Sequence, residues 1–162
     1  MAYVQAVPLR PPAFRSVPFV ELRQALPSRV SIISPFVEQL MNFIARFRES
    51  DGSELDIEMA LREALANAIV HGNQEDSRKC VYVECRCTTD GEVSIMVRDE
   101  GQGFDDDSVA DPTTPENRVL TQGRGIYLVK TLMDEVRFEQ QGTVVFMRKA
   151  SKERPQVGRK KP

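Results

Sequence analysis

Apolar positions along the chain follow two periods, and the switch between them marks the elements. In FVEQLMNFIARF, Phe36, Leu40, Ile44 and Phe47 recur at helical spacing and predict a first helix. Ser31 or Ser34 offers its N-cap, and Pro35 fits a first turn, where a missing N–H costs no bond. Asp51-Gly52-Ser53 ends that helix. Ser53 then caps a second, with Asp56 as a capping-box-like acid three residues on. The second helix is expected to run to His71, with Gly72 suited to its C-terminal cap.

From Lys79 the period falls to two. Val81, Val83, Cys85 and Cys87 share one face of a strand, and Asp90-Gly91 is a hairpin signal. On the return strand Val93, Ile95 and Val97 share a face, and Asp99 continues their phase. A carboxylate that follows three apolar residues on one side of a strand reads as a site more than a surface charge. An earlier strand is expected at Val17 to Ala25. Ile126, Val129, Leu132 and Met133 predict a third helix, and Val136–Phe138 with Thr143–Met147 a last hairpin across Gly142. Helices and hairpins in this order predict an α/β (α+β) two-layer sandwich, with helices on one face of a mixed, mainly antiparallel sheet.

Composition adds bounds. A chain of 162 residues, 41% hydrophobic and 28% charged, fits a globular protein with one core. A formal net charge of -2 argues against direct nucleic-acid binding. Residues 1–15 read as a flexible Pro-rich leader, 16–149 as the folded domain and 150–162 as a basic disordered tail. The leader has no continuous apolar stretch of a signal peptide, and no apolar run reaches membrane-spanning length. Cys80, Cys85 and Cys87 form no CxxC pair, which fits reduced thiols. A cytoplasmic protein with no membrane contact is expected.

Three features carry candidate chemistry. Glu63, Asn67 and His71 recur every four residues and would stack along one helix face. Glu63 has the chemistry of a general base, and Asn67 that of an oxygen ligand for Mg²⁺. Taken alone, the stripe fits a merely polar helix face equally well. A zinc-protease motif needs two histidines on one helix, and His71 is the chain's only histidine. The second feature is Asp99-Glu100-Gly101-Gln102-Gly103. Its Gly-x-Gly permits close backbone approach, and its Asp offers an acceptor suited to an exocyclic amine such as that of adenine. The third is Gly123-Arg124-Gly125, which opens the third helix, where backbone N–H groups and the dipole favour phosphate. It lacks the third glycine of a dinucleotide fingerprint and the Lys-Ser/Thr of a P-loop. Between the second and third features lies a long acidic, Pro-containing stretch, a length associated with functional lids.

ExxxNxxxH, DxGxGF and GxGI in this order resemble the nucleotide-binding boxes of the GHKL (Bergerat-type) ATPases, the superfamily of histidine kinases, gyrase, heat-shock 90 chaperones and mismatch-repair proteins. Within it the chain is similar to the bacterial anti-sigma-factor serine/threonine kinases. That likeness runs over residues 17–148 and takes in LPSRV, HGN, DPTTPEN and GRGIYLVKTLMDEV. The resemblance implies ATP and Mg²⁺ as cofactors, and Glu63 as the base that activates the attacking hydroxyl. It implies Asn67 as Mg²⁺ ligand, Asp99 as adenine reader and Gly101 and Gly103 as the adenine wall. Gly123, Arg124 and Gly125 fall where the lid meets the phosphates, and Thr143 where a Gly-Thr supports the adenine-binding Asp. His71 follows where a basic residue often lies near the phosphates, a place equally suited to a structural cap. The implied partners are a sigma factor, a STAS-domain anti-anti-sigma protein and a second copy of the chain. A sensor histidine kinase would need a phospho-accepting His ahead of the domain, and an ATP-gated, non-catalytic module that sequesters a regulator is the alternative reading.

Overall fold

The computed structural model describes residues 17–103 and 124–151. They form β1 (Phe19–Pro27), a short 3₁₀ turn (Val30–Ile32), α1 (Ile33–Ile44), α2 (Glu54–Ala66), a π-helical segment (Asn67–Gly72), β2 (Cys80–Thr88), β3 (Val93–Arg98), α3 (Arg124–Leu132), β4 (Glu135–Glu139) and β5 (Val144–Lys149). The strands make one sheet in the order β1-β2-β3-β5-β4. All four neighbouring pairs are antiparallel, so the sheet is uniformly antiparallel in the described residues rather than mixed. The two-layer α+β sandwich is the one expected.

Period-two patterning sets the buried sheet face. Val81, Val83, Cys85 and Cys87 of β2 join Val93, Ile95 and Val97 of β3 and Met147 of β5 in one core with the helices. Phe36, Leu40 and Ile44 of α1 enter that core as their spacing predicts. The central helix, α2, packs against α1 on one side and α3 on the other. It buries Ile57, Leu61 and Leu65 together with Ala60 and Ala64, and the small alanines let two helices approach it closely. β1 begins and ends two residues later than expected, because it pairs along the whole of β2, from Phe19↔Thr88 to Pro27↔Cys80.

Several local expectations are corrected. Phe47 is 41% exposed and not part of the α1 stripe. After Ile44 the chain tightens, with Arg46 N–H donating to Phe43 O (3.1 Å) and Phe47 N–H to Ile44 O (3.0 Å). That tighter winding turns Phe47 outward and buries Arg48 in its place. Neither serine caps α1, which starts from the 3₁₀ turn at Ile32, and Ser34 Oγ instead accepts from Arg62 (3.2 Å). Ser53 precedes α2 as expected, yet its hydroxyl donates to Asp51 Oδ1 (2.6 Å) rather than capping the helix. Asp56 makes no capping box because the buried Lys149 takes its carboxylate at 3.0 Å. The lid stretch from Phe104 to Gly123, the leader and most of the tail lie outside the described residues.

Candidate functional site

The expected site residues that are described lie at the end of α2, the end of β3, the start of β5 and the start of α3. Asn67 marks the point where α2 widens into the π segment, closed by an i→i+5 bond from Asn73 N–H to Ala68 O (2.8 Å). Such widenings occur mostly as single turns, frequently at functional sites. They also shift the helical phase. Glu63 and Asn67 keep the α spacing and are partly buried, whereas His71 lies within the π segment and is exposed. Gly72 has no left-handed role either. It lies inside the π turn, and Gln74 (φ 57°) and Glu75 (φ 55°) carry the left-handed backbone that ends the helix.

Gly72 matters for a different reason. A Cβ built on it would lie 2.4 Å from Asp99 Cγ and 2.6 Å from Oδ2, so the carboxylate is packed directly on the glycine. On the other side Gly101 N–H donates to Asp99 Oδ1 at 2.7 Å. A Cβ at Gly101 would meet Gly72 O at 2.3 Å, so the two glycine backbones close together around the carboxylate. Burial pushes the Asp99 carboxyl up from the ordinary carboxylate range, while the Gly101 N–H pulls the other way. A half-buried carboxylate between two glycines can accept from an amine that no bulkier wall would admit.

Thr143 reaches this acid through the backbone: Asp99 N–H donates to Thr143 O at 3.0 Å. Its hydroxyl turns back to Gln140 O (2.9 Å), so the carbonyl of Thr143, and not its side chain, meets the Asp99 backbone. Gln140 (φ 52°), Gln141 (φ 57°) and Gly142 (φ 81°) form a run of left-handed residues between β4 and β5. Gly103 (φ 80°) meets that turn, since a Cβ there would lie 2.2 Å from Gln141 O. Left-handed non-glycine residues are costly and often mark functional loops.

At the other end of the site, Glu63 and Gly125 touch. A Cβ at Gly125 would lie 1.7 Å from Glu63 Oε1. The acid of α2 is thereby set beside the first turn of α3, where free N–H groups and the helix dipole favour negative charge. Arg124 opens α3 as expected, and Gly123 lies outside the described residues.

A model of the histidine kinase-like ATPase domain matches residues 25–149. The chain belongs to the histidine kinase-like ATPase family. It is 32% identical over 113 residues to an anti-sigma F factor of Priestia megaterium, across 67% of this chain and 77% of that relative. It is 38% identical over 101 residues to the serine-protein kinase RsbW of Bacillus subtilis, across 58% of this chain and 62% of the relative. A crystal structure of the RsbU and RsbW domains of a Mycobacterium tuberculosis protein shares the fold, with a TM-score of 0.56 at 20% identity. That match takes in 82% of this chain and 32% of the longer one.

For this histidine kinase-like ATPase domain the donor set can be tested against a nucleotide and metal. The glycines at 72, 101 and 125 leave close approaches that any Cβ would fill, and Asp99 supplies a desolvated acceptor. Among the described residues no three His, Cys, Asp or Glu side chains gather as a metal cage. An ion held by Asn67 would take its other ligands from phosphate oxygens and water, the usual habit of Mg²⁺. The residues fit both groups.

Two residues of this family domain escape the pattern reading. Asn73 is fully buried, and its amide donates to Cys80 O (2.9 Å) while its Oδ1 accepts Glu100 N–H (2.8 Å). Glu100 in turn accepts from Cys80 N–H (3.0 Å) and from the Tyr82 hydroxyl (2.9 Å). The one signal in the sequence is an Asn directly after His71-Gly72, where a buried amide has no helical pattern to announce it.

Proposed function

We propose that the chain is an ATP-dependent serine/threonine protein kinase acting as an anti-sigma factor in a partner-switching system. Its domain is taken as residues 16–149, its place the cytoplasm and its working form a homodimer. The acceptor would be a Ser or Thr of a STAS-type anti-anti-sigma protein, and the sequestered partner a sigma factor. The observation that carries this reading is the contact of Glu63 with Gly125 at the start of α3, on the same end of the domain as the Asp99 carboxylate between Gly72 and Gly101. Relatives named as anti-sigma F factor and serine-protein kinase support the same assignment.

Each residue has a stated task. Asp99 accepts the exocyclic amine of adenine, with Gly101 and Gly103 as the wall beside the base and the Thr143 carbonyl behind. The backbone of Gly123, Arg124 and Gly125 presents N–H groups to the phosphates. Asn67 offers its amide oxygen to Mg²⁺. Glu63 takes the proton of the acceptor hydroxyl as that oxygen attacks. When bound, Mg·ATP supplies the transferable phosphoryl group and neutralises charge on it, so positioning is most of what the protein must add. Transfer of labelled γ-phosphate to a STAS protein tests the assignment. Glu63→Ala is expected to lose transfer by about a hundredfold or more while binding ATP within about twofold of wild type. Undiminished transfer by that variant would remove Glu63 from the role, and ATP-dependent capture of a partner with no phosphate incorporated would favour a binding module.

A further inference from the structure

Asn73 has a place in the fold that catalysis does not explain. Its side chain is fully buried, yet both ends of its amide are bonded, to Cys80 O and to Glu100 N–H. The three elements it joins are the end of the π segment, the start of β2 and the loop after β3. Glu100 completes the link, because its carboxylate takes Cys80 N–H and the Tyr82 hydroxyl. Cys80 is therefore held at both its N–H and its carbonyl. Each partner of this link sits next to one wall of the acid pocket: Asn73 follows Gly72, and Glu100 separates Asp99 from Gly101. Neither glycine leaves room for a side chain beside the carboxylate, since a Cβ on Gly72 would lie 2.4 Å from Asp99 Cγ and one on Gly101 2.8 Å from Asp99 Oδ1.

We propose that Asn73 and Glu100 are positioning residues that set the Asp99 carboxylate in place and so fix the site's preference for adenine over guanine. The inference rests on the reading of Asp99 as the adenine acceptor. Adenine offers that acceptor an amine donor, whereas guanine offers a carbonyl oxygen at the same ring position and is repelled. Discrimination of this kind depends on where the acceptor stands. A loop after β3 freed from Asn73 lets the carboxylate drift and take ordered water, which weakens adenine binding and relieves the guanine clash.

The test is titration of the full chain with Mg·ATP and Mg·GTP for wild type, Asn73→Ala, Glu100→Ala and Asp99→Asn, beside thermal melts without nucleotide. Asn73→Ala is expected to narrow the ATP-over-GTP affinity ratio on the order of tenfold, and Glu100→Ala to narrow it less, in the same direction. A merely structural role would lower the melting temperature or the active fraction and leave the ratio untouched. Should Asn73→Ala fail to fold, Glu100→Ala decides alone, because that side chain is exposed. If Asp99→Asn collapses the ratio while both clamp variants keep it, the clamp is overturned. If Asp99→Asn keeps the ratio, the nucleotide reading itself falls.

Discussion

The carboxylate of Glu63 rests on the α-carbon of Gly125, a residue 62 positions further along the chain. No side chain fits between them, so the glycine fixes where the acid of α2 stands relative to the first turn of α3. Gly125→Ala would drive Glu63 Oε1 aside, because the new Cβ would lie 1.7 Å from it. The obstructing atoms belong to the mobile end of a side chain, and alanine favours a helix, so stability is expected to stay within about 1 kcal/mol of wild type. Phosphoryl transfer should nevertheless fall at least about tenfold. Thermal melting and phosphate incorporation measured on one preparation separate the two effects.

Asp99 gives a pH signature. Its folded-state pKa is raised by burial above the ordinary aspartate value. The stabilising contribution of its neutral form is therefore complete below the unfolded pKa and is lost as pH rises through the folded one. Asp99→Asn does not ionise and still offers Oδ1 to Gly101 N–H. Its melting temperature, less that of wild type, is expected to grow more positive from acid to neutral pH in the absence of nucleotide. A difference that stays flat across that range would contradict the desolvated carboxylate.

Arg48 tests the far end of the domain. It is buried, and its guanidinium donates to Asp51 Oδ2 (2.6 Å), Ser53 Oγ (2.8 Å), Ala150 O (2.9 Å) and Gly91 O. These bonds tie the end of α1, the β2–β3 turn and the end of β5 together. Arg48→Met leaves a carboxylate and two carbonyls in the interior without that donor, at an expected cost of about 3–5 kcal/mol in chemical denaturation. ATP affinity at low temperature should be retained, since the nucleotide residues lie at the opposite end of the strands.

His71 is the control within the motif. It is exposed and lies within the π segment, whereas Glu63 and Asn67 are partly buried. His71→Ala should change stability by less than about 0.5 kcal/mol and reduce transfer far less than Glu63→Ala. A loss equal to that of Glu63→Ala, in steady-state transfer assays, would place the imidazole among the groups that act on the phosphates.

The strand faces were legible because alternation is a local property. Val81 to Cys87 bury one side, the apolar residues of Val93 to Val97 share one side although Ser94 is also buried, and Asp99 inherits its phase from them. The helix stripes were legible for the same reason, up to the points where the winding changed. Phe47 was misplaced because a tightened turn alters the angle between successive residues, and neither that turn nor the π segment that holds His71 leaves a mark in apolar spacing. The caps were misread because Ser34 and Asp56 found distant partners in Arg62 and Lys149, while Ser53 turned to Asp51 and Arg48 just before its helix.

By itself the sequence determined most of the buried positions and the helix or strand type of the main elements, and it singled out the acids and glycines of the proposed site, since these follow from side-chain type and short-range period. Only the tertiary structure decided that Gly125 meets Glu63, that Gly72 and Gly101 close on Asp99, and that Asn73 and Glu100 hold that closure. Those contacts depend on the sheet register and on how α2 and α3 pack. A glycine's missing Cβ acquires meaning only when a partner from elsewhere in the chain occupies the space it leaves.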